Sequence, residues 1–384
     1  MINWGIRPAE ARDGELLKEL WRYSFHNDGE AFTDWYFRAY HRFSETLVAT
    51  SPAGQVVASL QCIDMTLKNK AQSLKTAYIV GVNAFPEVRG RGAVGALMQE
   101  ALKRSPYTGL LLMPFEGNFY APLGFRYMNY HGQISVPMGD LYAYSQKAEL
   151  TFKRFSLKAA PVTDLDRVYS TWQGRYYAFY VQRDSRRWQA LLDDLAAEGG
   201  YGVMAYAQGQ PVGYLLYSLQ EKTFYIREMA YLSDQARAGL YHYVTGHRSQ
   251  LGTVTWSAPL DEPVIDQPAG AKDYITYEPF MMWRFLSPAS LPFFASKDPE
   301  VPLTFAYKDS HLKRISLWRW EGDRVEPIDQ AEVDFSVTPE TLSDLVFGHR
   351  RRLKQGCDIK DAEAFAAFGA LFPSRPLAYI NEYF

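Results

Sequence analysis

Two short stretches hold residue types whose spacing can do chemistry. The first is Pro86-Glu87-Val88-Arg89-Gly90-Arg91-Gly92-Ala93-Val94-Gly95-Ala96-Leu97-Met98. It follows the apolar run Thr76-Ala77-Tyr78-Ile79-Val80-Gly81-Val82 and opens a segment whose apolar positions, Ala96, Leu97, Ala101 and Leu102, have helical spacing. The first amides of a helix have no acceptor within it, its dipole favours negative charge, and glycine lets the backbone approach a ligand. Arginine adds paired donors that match phosphate oxygens. An anion site is the chemistry this implies. No Gly-Lys-Ser/Thr follows, and there is no Gly-x-Gly-x-x-Gly with an acidic ribose partner, so it is neither a Walker loop nor a dinucleotide fingerprint. The second stretch, Pro114-Phe115-Glu116-Gly117-Asn118-Phe119-Tyr120-Ala121-Pro122-Leu123-Gly124-Phe125, follows the β run Gly109-Leu110-Leu111-Leu112-Met113. A phenol such as Tyr120, with an ordinary pKa of about 10, keeps its proton at neutral pH and can serve as a proton donor.

These residues need a frame. Leu16, Leu17, Leu20, Trp21 and Ser24 share a helix face, with Asp13 placed as its cap. The runs 46–50 and 55–62 flank Ser51-Pro52-Ala53-Gly54, which predicts a hairpin, and 76–82 adds a third strand. The pattern returns as 201–206, a turn at 207–210, 211–217, and a further strand at 225–232. A long helical segment precedes each hairpin, the later one including 184–195. Order and turn position both recur, so the chain contains an internal duplication. The later copy has Ser233-Asp234-Gln235-Ala236-Arg237-Ala238-Gly239 where the first has Arg89-Gly90-Arg91-Gly92. Without that glycine spacing it reads as a scaffold lacking the anion site.

A Pro/Ser-rich junction, Leu286-Ser287-Pro288-Ala289-Ser290-Leu291-Pro292, sets off a third region. Runs at 301–307, 314–320 and 332–337 predict an antiparallel sheet there. Two helices follow, one capped by Thr338 and one over 361–372 with Phe365, Phe368 and Phe372 on one face. The segment 377–384 is too apolar and aromatic for a free tail and is expected to dock. The expected organisation is an α+β protein with domains at 1–150, 151–287 and 288–384.

Composition narrows the function classes. The 384 residues carry 41 Lys+Arg against 43 Asp+Glu, a net charge of −2, which gives no general field for nucleic acid or an anionic membrane. Only Cys62 and Cys357 occur, too few for a disulfide framework, zinc cluster or iron–sulfur site. No apolar run approaches a membrane span and the first residues do not read as a signal peptide, so a soluble cytoplasmic protein is expected. His242 and His247 have no third ligand nearby, and no metal site is expected. The basic run His349-Arg350-Arg351-Arg352-Leu353-Lys354 reads as a solvated turn, or as a contact to a coenzyme phosphate or a neighbouring subunit. The aromatic share, 15%, points to large flat side chains in cores or in a broad pocket.

Over roughly residues 1–140 the sequence resembles the GNAT superfamily of acetyl-coenzyme A dependent N-acetyltransferases. That family pairs an Arg-x-x-Gly-x-Gly/Ala loop with a later Tyr that precedes Gly-Phe. The resemblance implies that backbone groups of Val82 and Ala84 line the pantetheine arm of acetyl-CoA. It implies that Arg89, Gly90, Arg91 and Gly92, with Ala93 and Gly95, hold the pyrophosphate. Val94 stands where the motif expects its second Gly or Ala. Tandem GNAT folds followed by a sterol-carrier-protein-like α/β domain resemble the Eis-like (enhanced intracellular survival) branch. From that resemblance Tyr120 is expected as general acid and the C-terminal carboxylate of Phe384 as base. Phe25, Asp28, Trp35 and Tyr36 are expected on the acceptor side, with Glu116 and Glu382 as further carboxylates for a cationic acceptor. Aromatic walls with an acidic group suit a multiply charged amine, so the expected reaction is N-acetylation of a small polyamine- or aminoglycoside-like acceptor by a homo-oligomer. The alternatives are a protein-lysine acetyltransferase and a lipid or acetyl-CoA sensor without catalysis.

Overall fold

The computed structural model describes residues 3–270, 273–349, 357–374 and 376–382. They form two compact units. One comprises the chain up to Asn129 with Phe280–Pro376 and Glu382; the other comprises Tyr130–Pro279 with Leu377–Asn381.

The first unit begins β1 (Gly5–Pro8), α1 (Gly14–Ser24), α2 (Gly29–Trp35), β2 (Thr46–Thr50), β3 (Val56–Lys68) and β4 (Ser73–Ala84). It continues with α3 (Ala93–Arg104), β5 (Gly109–Leu112), α4 (Gly117–Tyr120) and β6 (Arg126–Tyr127). The strands β1 to β5 lie in chain order, and Met282–Phe285 is inserted between β5 and β6. Gly54, at φ 82°, closes the β2–β3 turn. The Asn69 side chain closes β3–β4 by accepting from the amides of Ala71 (2.9 Å) and Gln72 (2.6 Å). Asp13 does precede α1, but its carboxylate makes no cap. It is held by the Arg7 guanidinium at 2.7 and 2.8 Å and by the Glu10 amide. The helix α3 buries Leu97, Met98, Ala101 and Leu102 against the sheet. Each large apolar side chain so buried contributes about 1.5–3 kcal/mol.

The second unit runs β7 (Tyr130–Pro137), β8 (Thr151–Phe155), α5 (Val162–Tyr176), β9 (Tyr180–Gln182), α6 (Ser185–Ala197), β10 (Tyr201–Ala207) and β11 (Gln210–Gln220). It ends with β12 (Thr223–Tyr231), α7 (Asp234–Thr245), β13 (Thr253–Ala258), α8 (Pro263–Asp266) and β14 (Tyr274–Pro279). Its sheet has the order β14-β7-β13-β12-β11-β10-β8. Asp184 caps α6 through the Arg187 amide, and Ser233 caps α7 through the Ala236 amide. Helices, hairpin, strand and helix thus recur in the order the duplication predicts. The strand beside each parallel pair comes from the other half of the chain: β7 flanks β13, and Met282–Phe285 flanks β5.

That inserted strand, β15 (Met282–Phe285), leads within the first unit to α9 (Leu291–Phe294), β16 (Leu303–Asp309), β17 (Arg314–Glu321), β18 (Arg324–Ile328) and β19 (Phe335–Val337). The helices α10 (Pro339–Val346) and α11 (Ala362–Gly369) follow. The small sheet is mixed, not antiparallel. Its order is β18-β17-β16-β19, and β19 returns across the sheet to lie parallel to β16. Thr338 caps α10 and Asp361 caps α11. The helix α11 stops at Gly369, short of the expected 372; Phe365 and Phe368 on it pack on Phe335 at 5.3 and 5.0 Å, and Phe372, beyond its end, lies 5.9 Å from Trp320. Among the described residues no helix is long and apolar enough to cross a membrane.

Candidate active site

Strand β4 creates the site by failing to pair along its whole length. It is parallel to β5 only from Ala77 to Ile79, opposite Leu110 to Leu112, and then continues to Ala84 with no partner there. On its other edge the antiparallel register with β3 shifts between Gln61, opposite Val80, and Ser59, opposite Asn83. Gly81 and Val82 therefore have no partner residue on either neighbour, the signature of a bulge. Gly81 sits at φ 62°, a conformation that favours glycine. Strand polar groups must be satisfied somewhere. An open seam lined by the backbone of Val82 to Ala84 is suited to an extended, amide-bearing ligand. Ala84 has its carbonyl taken by Arg89 Nε at 3.1 Å.

The loop after β4 continues the seam. Gly90 and Gly92 are left-handed at φ 72° and 89°, and nothing lies within 4 Å of where a Cβ would stand on Gly90, Gly92 or Gly95. The amide of Ala96 is the first in α3 with a helical acceptor, the Gly92 carbonyl at 2.9 Å. Ala93, Val94 and Gly95 thus head the helix with amides that its own turns do not use. Val94 packs its side chain against the core cluster, so the valine does not fill the loop. Arg91 and Arg89 are exposed, and the Arg89 guanidinium stands 5.7 Å over the ring of Tyr23, at the end of α1. Bare backbone, free first-turn amides and two arginines fit a pyrophosphate.

Tyr120 ends α4 and is 3% exposed. It shares the apolar cluster of Ile79, Ala93, Leu97 and Leu112, and the rings of Phe119, Phe115 and Phe125 surround it at 5.0, 5.8 and 6.2 Å. Burial alone pushes its phenol well above the ordinary range. Glu116 precedes the same short helix, makes no side-chain cap and is exposed.

On the acceptor side, the expected residues gather around one that the sequence marked only as helix core. Trp21 donates Nε1–H to Asp28 Oδ2 at 3.0 Å, stacks on Tyr36 at 4.1 Å and meets Phe25 at 4.6 Å. Its ring also covers Gly81 in the bulge. The buried Tyr36 hydroxyl donates to Gln61 Oε1, and Gln61 in turn donates to Glu45 at 3.0 Å. Trp35 is one step removed, with Phe32 at 5.3 Å and Tyr40 at 6.2 Å. Ser59, Asn83 and His41 border the same small cavity, where burial pushes the His41 imidazole down to about 4. Glu382 is buried in the first unit, and Phe384 lies outside the described residues. Among the described residues no group of His, Cys, Asp or Glu could hold a metal ion.

The second copy has the same seam but has closed it. Strands β12 and β13 are parallel from Thr223 to Ile226, and β12 then runs on to Tyr231. The segment Leu377–Asn381 is bound where they part. Asn381 donates to the Arg227 carbonyl at 3.2 Å and Tyr379 to the Ser257 carbonyl at 2.8 Å. The Tyr379 ring packs against His131, Trp172 and Tyr177. The loop before α7 has no left-handed glycine, so bare amides are not presented there.

Comparison with known proteins agrees with the duplication. Two models of acetyltransferase (GNAT) domains match, one over residues 5–128 and one over residues 180–285. No curated protein matches the chain in sequence. Several solved structures match its fold along the full length of both chains. A protein of unknown function from Enterococcus faecalis, described as a probable N-acyltransferase, superposes with a TM-score of 0.84 at 18% identity, covering 100% of each chain. A GCN5-related N-acetyltransferase from Anabaena variabilis gives 0.82 at 17%, again over 100% of each. Eis1 from Mycobacterium abscessus gives 0.75 at 15%, also over 100% of each.

Proposed function

The chain belongs to the GNAT acetyltransferases through both of its repeated domains, and we propose that the first transfers acetyl from acetyl-coenzyme A to an amine of a small polycationic acceptor. The observation that carries this reading is the continuity of the parted β4–β5 seam with the bare glycine loop heading α3, present in the first copy and filled in the second. Bound acetyl-coenzyme A would supply an activated thioester. Arg91, Arg89 and the amides from Gly92 to Gly95 would hold its pyrophosphate, and the backbone of Val82 and Ala84 its pantetheine arm.

The protein's own groups would do the rest. The unpartnered backbone at Gly81 and Val82 offers amide donors where charge develops on the carbonyl oxygen. Tyr120, kept protonated by burial, would hold its proton toward the departing sulfur. Asp28, oriented by Trp21, and the rings of Phe25 and Tyr36, with Trp35 behind them, would receive a cationic acceptor by charge and cation–π contact. Glu116 and Glu382 would add negative charge. The carboxylate of Phe384 is the proposed base. The burial of Glu382, two residues earlier, supports its delivery to the first unit.

The test is thiol release from acetyl-coenzyme A by the untagged chain with polyamines, aminoglycosides and lysine peptides as acceptors. Release with the polycationic small molecules supports the proposal. Release with peptides alone redirects it to a protein substrate, and silence across the panel overturns it.

A further inference from the structure

The second unit, which has no open coenzyme seam, carries a pocket of its own. It is a cavity of about 650 Å³, within the range typical of small-molecule sites. Its floor crosses three adjacent strands. Phe152 and Arg154 share one face of β8, Tyr201 lies on β10, and Tyr217 lies opposite it on β11. The rings of Tyr201 and Tyr217 stack at 5.5 Å, and Tyr201 is 44% exposed, so one face of a stack remains open. The end of α7 forms the wall. There Tyr243 shares a hydrogen bond of 3.1 Å with the Tyr217 hydroxyl and packs on Phe152 at 5.1 Å.

The charges are one-sided. Arg154 is exposed and forms no ion pair with any described residue, and half-buried His242 likewise leaves its imidazole unpaired. Among the described residues no Asp or Glu lines the pocket. A cation placed beside an open aromatic face, with no carboxylate to answer it, lacks a negative flat partner.

We propose that this pocket binds a small planar aromatic anion, a ring bearing a carboxylate, sulfonate or phosphate, with the ring on Tyr201 and the anion on Arg154 and His242. The site is separate from the transfer reaction and does not rest on the acetyltransferase reading. The probe is 1-anilinonaphthalene-8-sulfonate, titrated into the full chain by fluorescence and calorimetry. The variants are Arg154→Gln and Tyr201→Ala, both surface changes that leave the buried core intact, with folding checked by circular dichroism. The expected result is one site per chain, weakened at least tenfold by each variant, with the sedimentation coefficient unchanged. Binding that ignores both substitutions, or no binding at all, overturns the proposal. So does a change of assembly state in either variant, because the pocket would then be a contact between copies of the chain.

Discussion

The ring of Trp21 lies where any side chain at Gly81 would have to go: a Cβ there would stand 2.6 Å from Trp21 Cζ3. One residue of α1 therefore packs directly on the bulge that opens β4, and the same indole orients Asp28 through its N–H.

Gly81→Ala should accordingly hurt activity more than fold. The φ of 62° and the clash together cost about 1–3 kcal/mol of strain. The strain is relieved most cheaply by moving the bulge or the indole. Steady-state kinetics should show kcat/KM down by an order of magnitude or more while secondary structure is retained. A variant with wild-type kinetics would separate the bulge from the reaction.

Tyr120→Phe removes only a hydroxyl from an aromatic cage. Turnover should fall by roughly 10²–10⁴ if the phenol serves the leaving sulfur. The KM for acetyl-coenzyme A should barely change. An equal drop in coenzyme affinity would instead mark Tyr120 as part of the binding wall.

Arg91→Ala tests the loop. The side chain is exposed and free of partners among the described residues, so its loss should leave stability untouched. A charge-assisted contact of about 1.5–3 kcal/mol corresponds to a rise in coenzyme KM of roughly 10- to 100-fold. Arg89, tied to the Ala84 carbonyl, should show a mixed effect on stability and binding.

Glu262 makes the second unit sensitive to pH. Burial pushes its carboxyl up to about 7, against the Tyr241 and Tyr231 hydroxyls and the Arg237 charge that pull it down. The folded chain then keeps a proton that the unfolded chain releases near pH 4.5. Stability from this group is lost as pH rises between those two values, by about 3 kcal/mol in total. Glu262→Gln should therefore gain on the wild type as pH rises through that window and hold its advantage above it. Urea unfolding at several pH values checks this, and a pH-independent difference would exclude Glu262 as the source.

Arg284 on β15 holds Asp309 on β16 through two bonds of 2.9 and 2.8 Å, with both side chains fully buried. Arg284→Met leaves the buried Asp309 carboxylate with the His311 and Leu312 amides but no counter-charge, and should cost about 3–5 kcal/mol. Adding Asp309→Asn should recover part of that loss. If the double variant is as unstable as the sum of the single ones, the pair is not coupled.

Much of the first domain was legible because its signals are local. Pro52 and Gly54 mark a turn wherever they occur, and Arg89 to Gly95 announce bare backbone at a helix start. Trp21 was not legible as the hub of the acceptor side, because its spacing is that of any buried helix residue. The parallel return of β19 was missed for a related reason: strand direction depends on the path between strands, and residues 332–337 carry no mark of it. The caps show the same limit. Ser233 and Asp13 have equal capping chemistry, but Arg7 sits close enough to take Asp13 away.

The crossing of β7 and β15 between the two sheets sets the order in which the protein can be made. As the chain leaves the ribosome, β5 is complete by Leu112, yet the neighbour that covers its free edge is not synthesised until Phe285. For that interval a short, wholly apolar strand presents unpaired amides and carbonyls, the kind of edge that recruits other chains. The first GNAT domain therefore cannot be produced as an N-terminal fragment with its sheet intact, and its maturation waits on the translation of the second copy, whose own seam is already filled.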